Sequence, residues 1–345
     1  MRRVRSRLAA AVLVMLLAGC DAPPEYREQF LGLHTLVDVS FYDVEPATAR
    51  AAVAAIEEEF ARLDRDFGAW NETGALGRLN RALEGGGAVP ITPELAAAIG
   101  EATELSRRTG GLFNPAIGRL VELWGFHVEE RAPSPPPAAA AIAALVAGRP
   151  QAEDFVIENG AVRRRNPAAR LDFGAYAKGL AVNHAIALLR ARGIANAIVN
   201  AGGDLRAIGR HGERPWRIGI RHPRGAGIFA SVEIEGDTSV FTSGDYERFF
   251  IHDGVRYHHI IDPRTGYPAR GFVSATVIHS DATLADAAAT ALIVAGPAGW
   301  RPLATALGLE YVMLIDETGA AHLTPAMAHR VRFETDPAPR TVIVP

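Results

Sequence analysis

The sequence has few of the features that place a protein in a familiar class. Only one of its 345 residues is a cysteine, Cys20, so no internal disulfide can form. Lysine and arginine number 36 against 39 aspartates and glutamates, and this balance offers no electrostatic footprint for nucleic acid. The sequence also lacks an internal repeat and a Gly-x-Gly-x-x-Gly fingerprint. The missing fingerprint excludes a dinucleotide-binding Rossmann unit.

The amino terminus has the pattern of an export signal. Four arginines within the first seven residues precede an apolar run over residues 8–17. That run is too short to span a bilayer comfortably, and polar Asp21 and two prolines follow it. We therefore expect residues 1–19 to be a signal peptide, with residues 20–345 forming the folded domain.

The end of this signal resembles the lipobox of bacterial lipoproteins. Leu17-Ala18-Gly19-Cys20 matches that motif, in which the cysteine is lipidated and becomes the first residue of the mature protein. Asp21 directly after it resembles the signal that retains lipoproteins in the inner membrane. The resemblance implies a lipid anchor on Cys20 at the periplasmic face of the bacterial inner membrane. The alternative is an exported protein with a free cysteine.

The remaining chain mixes helical and extended patterns. Its length exceeds the size at which one hydrophobic core usually suffices, so we expect two packed subdomains. Apolar periodicity predicts helices over residues 48–67, 177–192, 284–294 and 300–307. Thr92 as an N-cap, with Pro93 at the first helical position, predicts another helix that ends before Gly110. Residues 132–150 are rich in proline and alanine, and we expect a surface excursion there with at most a short helix.

Extended patterns cluster between these helices. They predict strands over residues 36–44, 216–221, 230–234, 239–242, 256–261 and 274–279, and a strand over 197–208 that two glycines interrupt. Hairpins are predicted at Asn159-Gly160 and around Gly319. Because strands and helices do not alternate regularly, the pattern favours an α+β fold over a doubly wound sheet.

Two segments have features that suit phosphate chemistry. Asp172-Phe-Gly-Ala-Tyr-Ala-Lys178-Gly179 opens a predicted helix, whose first N–H groups favour anionic oxygens, and Lys178 adds a positive charge. An ordinary turn with a solvated lysine is an equally good interpretation. Gly202-Gly203-Asp204 marks a bulge or a close backbone approach, although Asp204 alone is best interpreted as a turn cap.

Two further segments supply a candidate base and candidate metal ligands. His258-His259 ends a predicted strand just before a turn at Asp262, and an imidazole with a pKa near 6.5 suits general base catalysis. His258 should face the opposite side of the strand. Asp286 and Thr290 lie one turn apart on a predicted helix, and such oxygen ligands suit Mg²⁺. The alternative is an aspartate stabilised by the helix dipole and a packed threonine.

In this order, the four segments resemble the FAD:protein FMN transferase family, often called the ApbE family. Other stretches that carry the resemblance are Leu33-His34-Thr35, Trp70 with Leu79-Asn80, and residues 111–118 followed by Leu120 and Trp124-Gly125-Phe126. The resemblance covers nearly the whole mature chain, and the ordered set is far more specific than any single motif. It implies a T-fold-like α+β architecture, with two intimately packed subdomains and mainly antiparallel sheets.

The resemblance also implies a role for each matching residue. The Mg²⁺ ligands would be the backbone carbonyl of Ala175 and the side chains of Asp286 and Thr290, and His259 would be the base. The residues implied to bind FAD are Leu33, Trp70, Leu112, Phe113, Asn114, Asp172, Lys178 and Ile260.

Several positions depart from the family pattern. Leu33-His34 replaces Met-Gly, Asn114 replaces Asp, Ala116 replaces Thr, Arg119 replaces Pro, and Asn183 stands where Asp is frequent. We therefore expect reshaped FAD contacts near these positions. The metal carboxylate, the lysine and the histidine are all present, so we expect activity to be retained.

The implied reaction is Mg²⁺-dependent transfer of the FMN half of FAD to a threonine or serine hydroxyl of an exported redox protein, with release of AMP. FAD would then be a substrate and not a resident redox cofactor. One alternative is a FAD pyrophosphatase, in which water replaces the protein hydroxyl and FMN and AMP are released. The other is a non-catalytic flavin-binding lipoprotein, which would predict the loss of Asp286, Thr290 or His259.

Overall fold

A computed structural model describes residues 25–128 and 135–344. The predicted signal peptide, Cys20 and the first part of the Pro/Ala-rich stretch lie outside these residues. The α-helices that it contains are α1 (Pro46–Phe67), α2 (Ala75–Ala82), α3 (Pro93–Arg108), α4 (Gly118–Trp124), α5 (Ala139–Ala147), α6 (Ala177–Ala191), α7 (Ala282–Ala306) and α8 (Pro325–Arg330).

The strands outnumber the helices, and most of them are short. They are β1 (Glu25–Gly32), β2 (Thr35–Tyr42), β3 (Ala88–Pro90), β4 (Phe155–Glu158), β5 (Ala161–Arg164), β6 (Ala197–Ala201), β7 (Asp204–Ile208), β8 (Trp216–Arg221), β9 (Ile228–Ile234), β10 (Thr238–Gly244), β11 (Phe249–His252), β12 (Val255–His258), β13 (Phe272–His279), β14 (Tyr311–Asp316), β15 (Ala321–Leu323), β16 (Val331–Phe333) and β17 (Thr341–Ile343).

A nine-stranded sheet organises the fold, in the order β1-β2-β6-β7-β10-β13-β14-β15-β17. Its neighbouring strands are antiparallel except for the last pair, β15 and β17. Smaller sheets have the orders β16-β9-β8, β3-β5-β4 and β11-β12. The predicted α+β class with mainly antiparallel sheets is therefore confirmed.

The large sheet is buried on both faces, because successive side chains of a strand point in opposite directions. On β14, Val312 and Leu314 pack into a core with α1, α6 and α7, which we call the helix-side core. Met313 and Ile315 of the same strand pack into a second core with β8 and β9. This two-sided burial gives a chain of this length two hydrophobic cores instead of one.

The helix α7 runs through the helix-side core. Its N-cap is Asp281, whose carboxylate accepts hydrogen bonds from the backbone N–H groups of Thr283 at 3.0 Å and Leu284 at 3.3 Å. Non-helical backbone at Gly296 (φ 67°, ψ −176°) divides α7 into two helical segments, which agrees with the two helices predicted for this region. By length and composition α7 could cross a membrane, but 72% of its apolar stretch is buried inside the protein, as expected for a core helix.

Local signals predicted several elements well. Thr92 caps α3, accepting a hydrogen bond from the Leu95 N–H at 3.2 Å. Asn159 (φ 51°) and Gly160 (φ 73°) form the turn between β4 and β5, as an Asn-Gly pair predicts for a hairpin.

The prediction of one interrupted strand over residues 197–208 is wrong. The strands β6 and β7 pair with each other as an antiparallel hairpin, and Gly202 (φ 66°) and Gly203 (φ 102°) are its two-residue turn. A close backbone approach does occur there, because a Cβ on Gly202 would lie 2.2 Å from Thr35 Oγ1. The strand predicted over residues 256–261 ends at His258.

A third, smaller group of buried residues supports the loop after β12. We call Leu120, Trp124, Phe126, Ile142 and Ile261 the tryptophan cluster. The helix α5, within the stretch expected to be a surface excursion, contributes Ile142, which is 1% exposed. Trp124 Nε1 donates a hydrogen bond to the Gly266 carbonyl at 2.7 Å, which fixes the turn that follows β12 against α4.

Candidate active site

Lys178 lies in the first turn of α6 and pairs with Asp204 at the start of β7. The Lys178 ammonium donates to Asp204 Oδ2, and Asp204 Oδ1 accepts from the Thr242 N–H at 2.8 Å. Desolvation alone would lower the pKa of Lys178, but the carboxylates of Asp204 and Asp286 outweigh it and raise that pKa. Lys178 is therefore a fixed cation and not a freely solvated lysine.

Asp204 is the site residue that sequence reasoning missed. The sequence alone favours a turn cap, yet the side chain of Asp204 is 3% exposed and pairs with Lys178, 26 residues away. A Gly-Gly-Asp segment has no local feature that reveals this partner. The sequence does offer one indication of a role for Asp204: its segment is one of the four whose order resembles the family pattern.

Asp286 is a buried carboxylate, 5% exposed, on the inner face of α7. Its Oδ2 accepts a hydrogen bond from the Gly179 N–H at 2.8 Å. Burial, and then the nearby charge of Asp204, raise the pKa of Asp286 to about 7, although Lys178 and the Gly179 N–H act in the opposite direction. Asp281 is the helix cap, so stabilisation by the helix terminus does not account for Asp286.

Two further oxygens are predicted to act with Asp286. Thr290 lies one turn later on α7, and its Oγ1 is 3.0 Å from Ser243 Oγ on β10. A regular helix would pair the Gly179 N–H with the carbonyl of Ala175, four residues earlier. Because that N–H instead donates to Asp286, the Ala175 carbonyl is not taken up by α6.

This set of oxygens fits a hard cation. A buried carboxylate, a hydroxyl and a backbone carbonyl are ligands of the kind that Mg²⁺ accepts, and Mg²⁺ retains several waters and substrate phosphates in its shell. No group of three or more His, Cys, Asp or Glu side chains is arranged as a metal site in residues 25–128 and 135–344.

His259 directly follows β12 and is held by the backbone of Arg248. The Arg248 carbonyl accepts from the His259 backbone N–H at 3.0 Å and from His259 Nδ1 at 3.2 Å. A carbonyl only accepts, so Nδ1 carries the proton and Nε2 is the basic nitrogen. Burial, followed by the charge of Arg248, lowers the pKa of His259 to about 3, so the imidazole is neutral at pH 7.

His258 has a different environment. It is 2% exposed, and its Nε2 donates to the Ala269 carbonyl at 2.8 Å while its Nδ1 accepts from the Ile260 N–H at 3.3 Å. Burial lowers its pKa. Both ring nitrogens are used within the protein, so His258 has a structural role. Ile260, predicted to lie near the flavin, is 3% exposed.

Trp70 and Asp172 form the flavin side of the predicted site. Trp70 Nε1 donates to Asp172 Oδ2 at 3.0 Å, and Asp172 Oδ1 accepts from the Gly174 N–H at 2.7 Å. The indole also lies 4.7 Å from the His127 ring and 4.5 Å from the Arg170 guanidinium. A cleft of about 430 Å³ adjoins it, lined in part by Trp70, His127 and Arg170.

The other residues predicted to contact FAD are engaged mainly in packing. Phe113 is 2% exposed, and Leu112 is half-buried against the helix-side core. Asn114 donates to the Pro150 carbonyl at 2.8 Å and accepts from the Ala116 N–H at 2.9 Å. Both polar atoms of this side chain are therefore already used, and any FAD contact through it stays a prediction.

Residues at the positions that depart from the family pattern have structural roles of their own. Leu33 (φ 50°) and His34 (φ 58°) are both left-handed and form the turn between β1 and β2. Arg119 pairs with Glu84 at 2.7 Å, and Asn183 accepts from Arg206. Arg119 and Asn183 thus join elements of the fold by polar contacts of their own.

Another cleft holds none of the residues predicted to bind metal or FAD. Its volume is about 570 Å³, and its lining includes Asp262, Arg264, Tyr267 and Gly296. Asp262 accepts from the Arg264 side chain through both carboxylate oxygens, at 2.9 and 2.8 Å. This carboxylate is paired inside its own turn, which leaves His259 as the better-placed base.

Comparison with known proteins supports one family. The model of the ApbE family matches residues 33–313. The FAD:protein FMN transferase of Rhodobacter capsulatus is 42% identical over 98% of this chain, which spans 66% of that protein. The enzyme of the same name from Treponema pallidum is 35% identical over 83% of this chain and 84% of its own length.

Solved structures agree with the sequence matches. The ApbE protein of Thermotoga maritima superposes with a TM-score of 0.81 at 33% identity, covering 90% of this chain and all of that one (100%). The flavin transferase ApbE of Vibrio cholerae gives 0.77 at 26% identity, covering 89% and 99%. The chain therefore belongs to the ApbE family of enzymes.

Proposed function

We propose that this protein is an exported, Mg²⁺-dependent FAD:protein FMN transferase. It moves the FMN half of FAD onto a threonine or serine hydroxyl of an exported redox protein and releases AMP. The observation that carries the proposal is the pairing of the partly exposed Lys178 with the buried carboxylates of Asp204 and Asp286, with a neutral imidazole at His259 close enough for Lys178 to lower its pKa. The names of the relatives support the same activity.

The charges of the site suit a pyrophosphate. Lys178 is held as a cation and would bind phosphate oxygens, while Asp204 fixes its position. Ala175, Asp286 and Thr290 would hold Mg²⁺, which when bound offsets the negative charge that builds on the leaving phosphate. The raised pKa of Asp286 supports this arrangement, because a bound cation would stabilise its charged form.

His259 would remove the acceptor's proton. Nε2 takes the proton from the threonine or serine hydroxyl as that oxygen bonds to the FMN phosphorus, and the bond from phosphorus to the AMP oxygen breaks. The Arg248 carbonyl holds the imidazole with Nδ1 protonated throughout. Trp70, oriented by Asp172, would position the flavin ring beside the cleft.

We also propose that the protein acts at the membrane surface. The lipobox-like segment at Cys20 supports lipid attachment, and two or more acyl chains are needed for stable anchoring. Attachment at the periplasmic face of the inner membrane would bring the enzyme to exported acceptors.

The experiment that tests the activity is incubation of the purified protein with FAD and Mg²⁺, with and without an acceptor that carries a flavinylation segment. The expected product is an acceptor whose mass increases by FMN and which fluoresces in a denaturing gel, with one AMP released for each FMN bound. Free FMN and AMP at the same rate without acceptor would instead identify a FAD pyrophosphatase. Binding of FAD without any AMP would identify a flavin-binding protein.

A further inference from the structure

We infer that Glu101 is a positioning residue for the metal site. Its carboxylate on α3 ties the loop that carries Ala175 to the first turn of α7, which leads to Asp286, and this tie sets the affinity for Mg²⁺. The inference rests on the function proposed above, since it requires that these residues hold the cation.

The tie consists of two short hydrogen bonds, one to each oxygen of the same carboxylate. Tyr176 Oη donates to Glu101 Oε2 at 2.6 Å, and Thr283 Oγ1 donates to Glu101 Oε1 at 2.7 Å, sharing its single proton with Asp281 Oδ1, also at 2.7 Å. Tyr176 is completely buried and Thr283 is 1% exposed. The carboxylate of Glu101 therefore reaches from the protein surface to two side chains in the interior.

The two donors are adjacent to metal ligands in the sequence. Tyr176 directly follows Ala175, so fixing its side chain restricts the direction of the Ala175 carbonyl. Thr283 lies three residues before Asp286 on one continuous helical segment, so the two move together. Glu101 thus acts on the metal site from both sides without contacting the cation itself.

The same two segments also meet at Gly179, which makes the geometry tight. A Cβ on Gly179 would lie 2.6 Å from the Ala282 carbonyl oxygen, so the first turns of α6 and α7 touch through their backbones. The Gly179 N–H donates to Asp286 at 2.8 Å. The Gly179 contact joins the first turns of α6 and α7 at one place, and the Glu101 carboxylate joins the same two segments at a second place. Together the two contacts restrict how α6 and α7 can rotate relative to each other.

Orientation matters for this cation in particular. Mg²⁺ requires near-octahedral geometry and short metal–oxygen distances. Loss of groups that orient metal ligands typically lowers metal affinity by about 10–100-fold. We expect a loss of this size when the Glu101 tie is broken.

The test is a titration of the FAD-free protein with Mg²⁺ alone, followed by calorimetry, together with the unfolding temperature of each variant. Glu101→Gln should weaken Mg²⁺ binding by about 10–100-fold, because the amide keeps one acceptor oxygen instead of two and loses the charge that strengthens both hydrogen bonds. Tyr176→Phe should weaken it in the same direction, because it breaks the loop half of the tie alone. Glu59→Gln is the matched control.

Glu59 is a suitable control because it also links two helices. Its Oε1 lies 2.6 Å from His184 Nδ1 and so connects α1 to α6, but no hydrogen bond joins it to Tyr176 or Thr283 in the described part of the chain. Glu59→Gln should lower the unfolding temperature and leave Mg²⁺ affinity unchanged.

The possible outcomes separate this inference from the proposed function. If Glu101→Gln and Tyr176→Phe lower only the unfolding temperature, as Glu59→Gln does, Glu101 is an ordinary structural residue and the inference is overturned. If Glu101→Gln does not fold, Tyr176→Phe alone decides, because it leaves the bond between Glu101 and Thr283 in place. If the unmodified protein and Asp286→Asn bind Mg²⁺ equally, the proposed metal site itself is wrong.

Discussion

Replacing His259 with alanine should selectively remove the proton-transfer step. A positioned general base typically contributes about 10²–10⁴-fold, so transfer of FMN should fall by that factor, equivalent to about 2.7–5.5 kcal/mol of transition-state stabilisation. Binding of FAD should change little, because Lys178, Asp172 and the metal ligands remain. The main structural loss is the side-chain hydrogen bond to the Arg248 carbonyl, so the variant should fold.

The environment of His259 also predicts an unusual pH dependence. Its pKa is about 3, below the ordinary 6.5, so the imidazole stays almost entirely neutral at pH 5.5. An ordinary imidazole would be about 90% protonated at that pH, and the rate would fall about tenfold. We therefore expect His259 to cause no acid limb in kcat/KM for FAD between pH 5.5 and 8.

The lowered pKa of His259 also predicts how the stability of the folded protein depends on pH. The folded state holds His259 neutral, whereas the unfolded chain takes up a proton below pH 6.5. The stability that depends on the neutral form is complete above pH 6.5 and is lost as the pH falls from there towards 3. His259→Gln should therefore show a smaller loss of unfolding temperature between pH 7 and pH 5 than the unmodified protein.

The assay is single-turnover transfer of FMN to the acceptor, followed by fluorescence in a denaturing gel, with His258→Ala as the comparison. His258 is buried and bonded at both nitrogens, so its loss should cost stability but much less activity in the folded protein. Equal losses in the two variants would refute the assignment of the base. An acid limb near pH 6.5 that disappears in His259→Ala would refute the argument from burial.

The other predictions concern the metal, the anchor and one turn. Asp286→Asn keeps an acceptor for the Gly179 N–H but removes the charge, so Mg²⁺-dependent release of AMP from FAD should be lost while circular dichroism stays unchanged; turnover retained at saturating Mg²⁺ would contradict the metal assignment. Cys20→Ser should shift the protein from the membrane fraction to a soluble or unprocessed form, and persistent membrane association after correct signal cleavage would argue against lipidation. Gly202→Ala should destabilise the protein by about 1–3 kcal/mol in urea denaturation, because φ is 66° and the new Cβ would overlap Thr35 Oγ1; an unchanged midpoint would show that the turn relaxes freely.

The sequence predicted elements whose signals are local. The cap at Thr92, the Asn159-Gly160 turn and the period-two pattern of β8 each depend on neighbouring residues, and the structure confirms them. The double glycine at residues 202–203 is ambiguous in the sequence, because the same two residues serve in a bulge or in a hairpin turn. Only the pairing of β6 with β7 distinguishes these possibilities, and pairing is a tertiary property.

The chemistry of the site is set by contacts between distant parts of the chain. Trp70 and Asp172 are 102 residues apart, and Gly179 and Asp286 are 107 apart. Residue types and spacing indicated that Asp286 was a candidate ligand, but they could not show that it is buried beside Asp204. Burial is what raises its pKa, and so the electrostatics of the site could not be derived from composition or periodicity.

His259 lies where two parts of the hydrophobic interior meet. Tyr257 and Ile261, two residues before and after it, pack into the tryptophan cluster, whereas the adjacent Ile260 packs into the helix-side core with α6 and α7, which carry Lys178 and Asp286. Substitutions in the tryptophan cluster can therefore displace His259 without changing the helices that carry Lys178 and Asp286. Under the proposed function, such substitutions should alter the transfer step more than the binding of FAD.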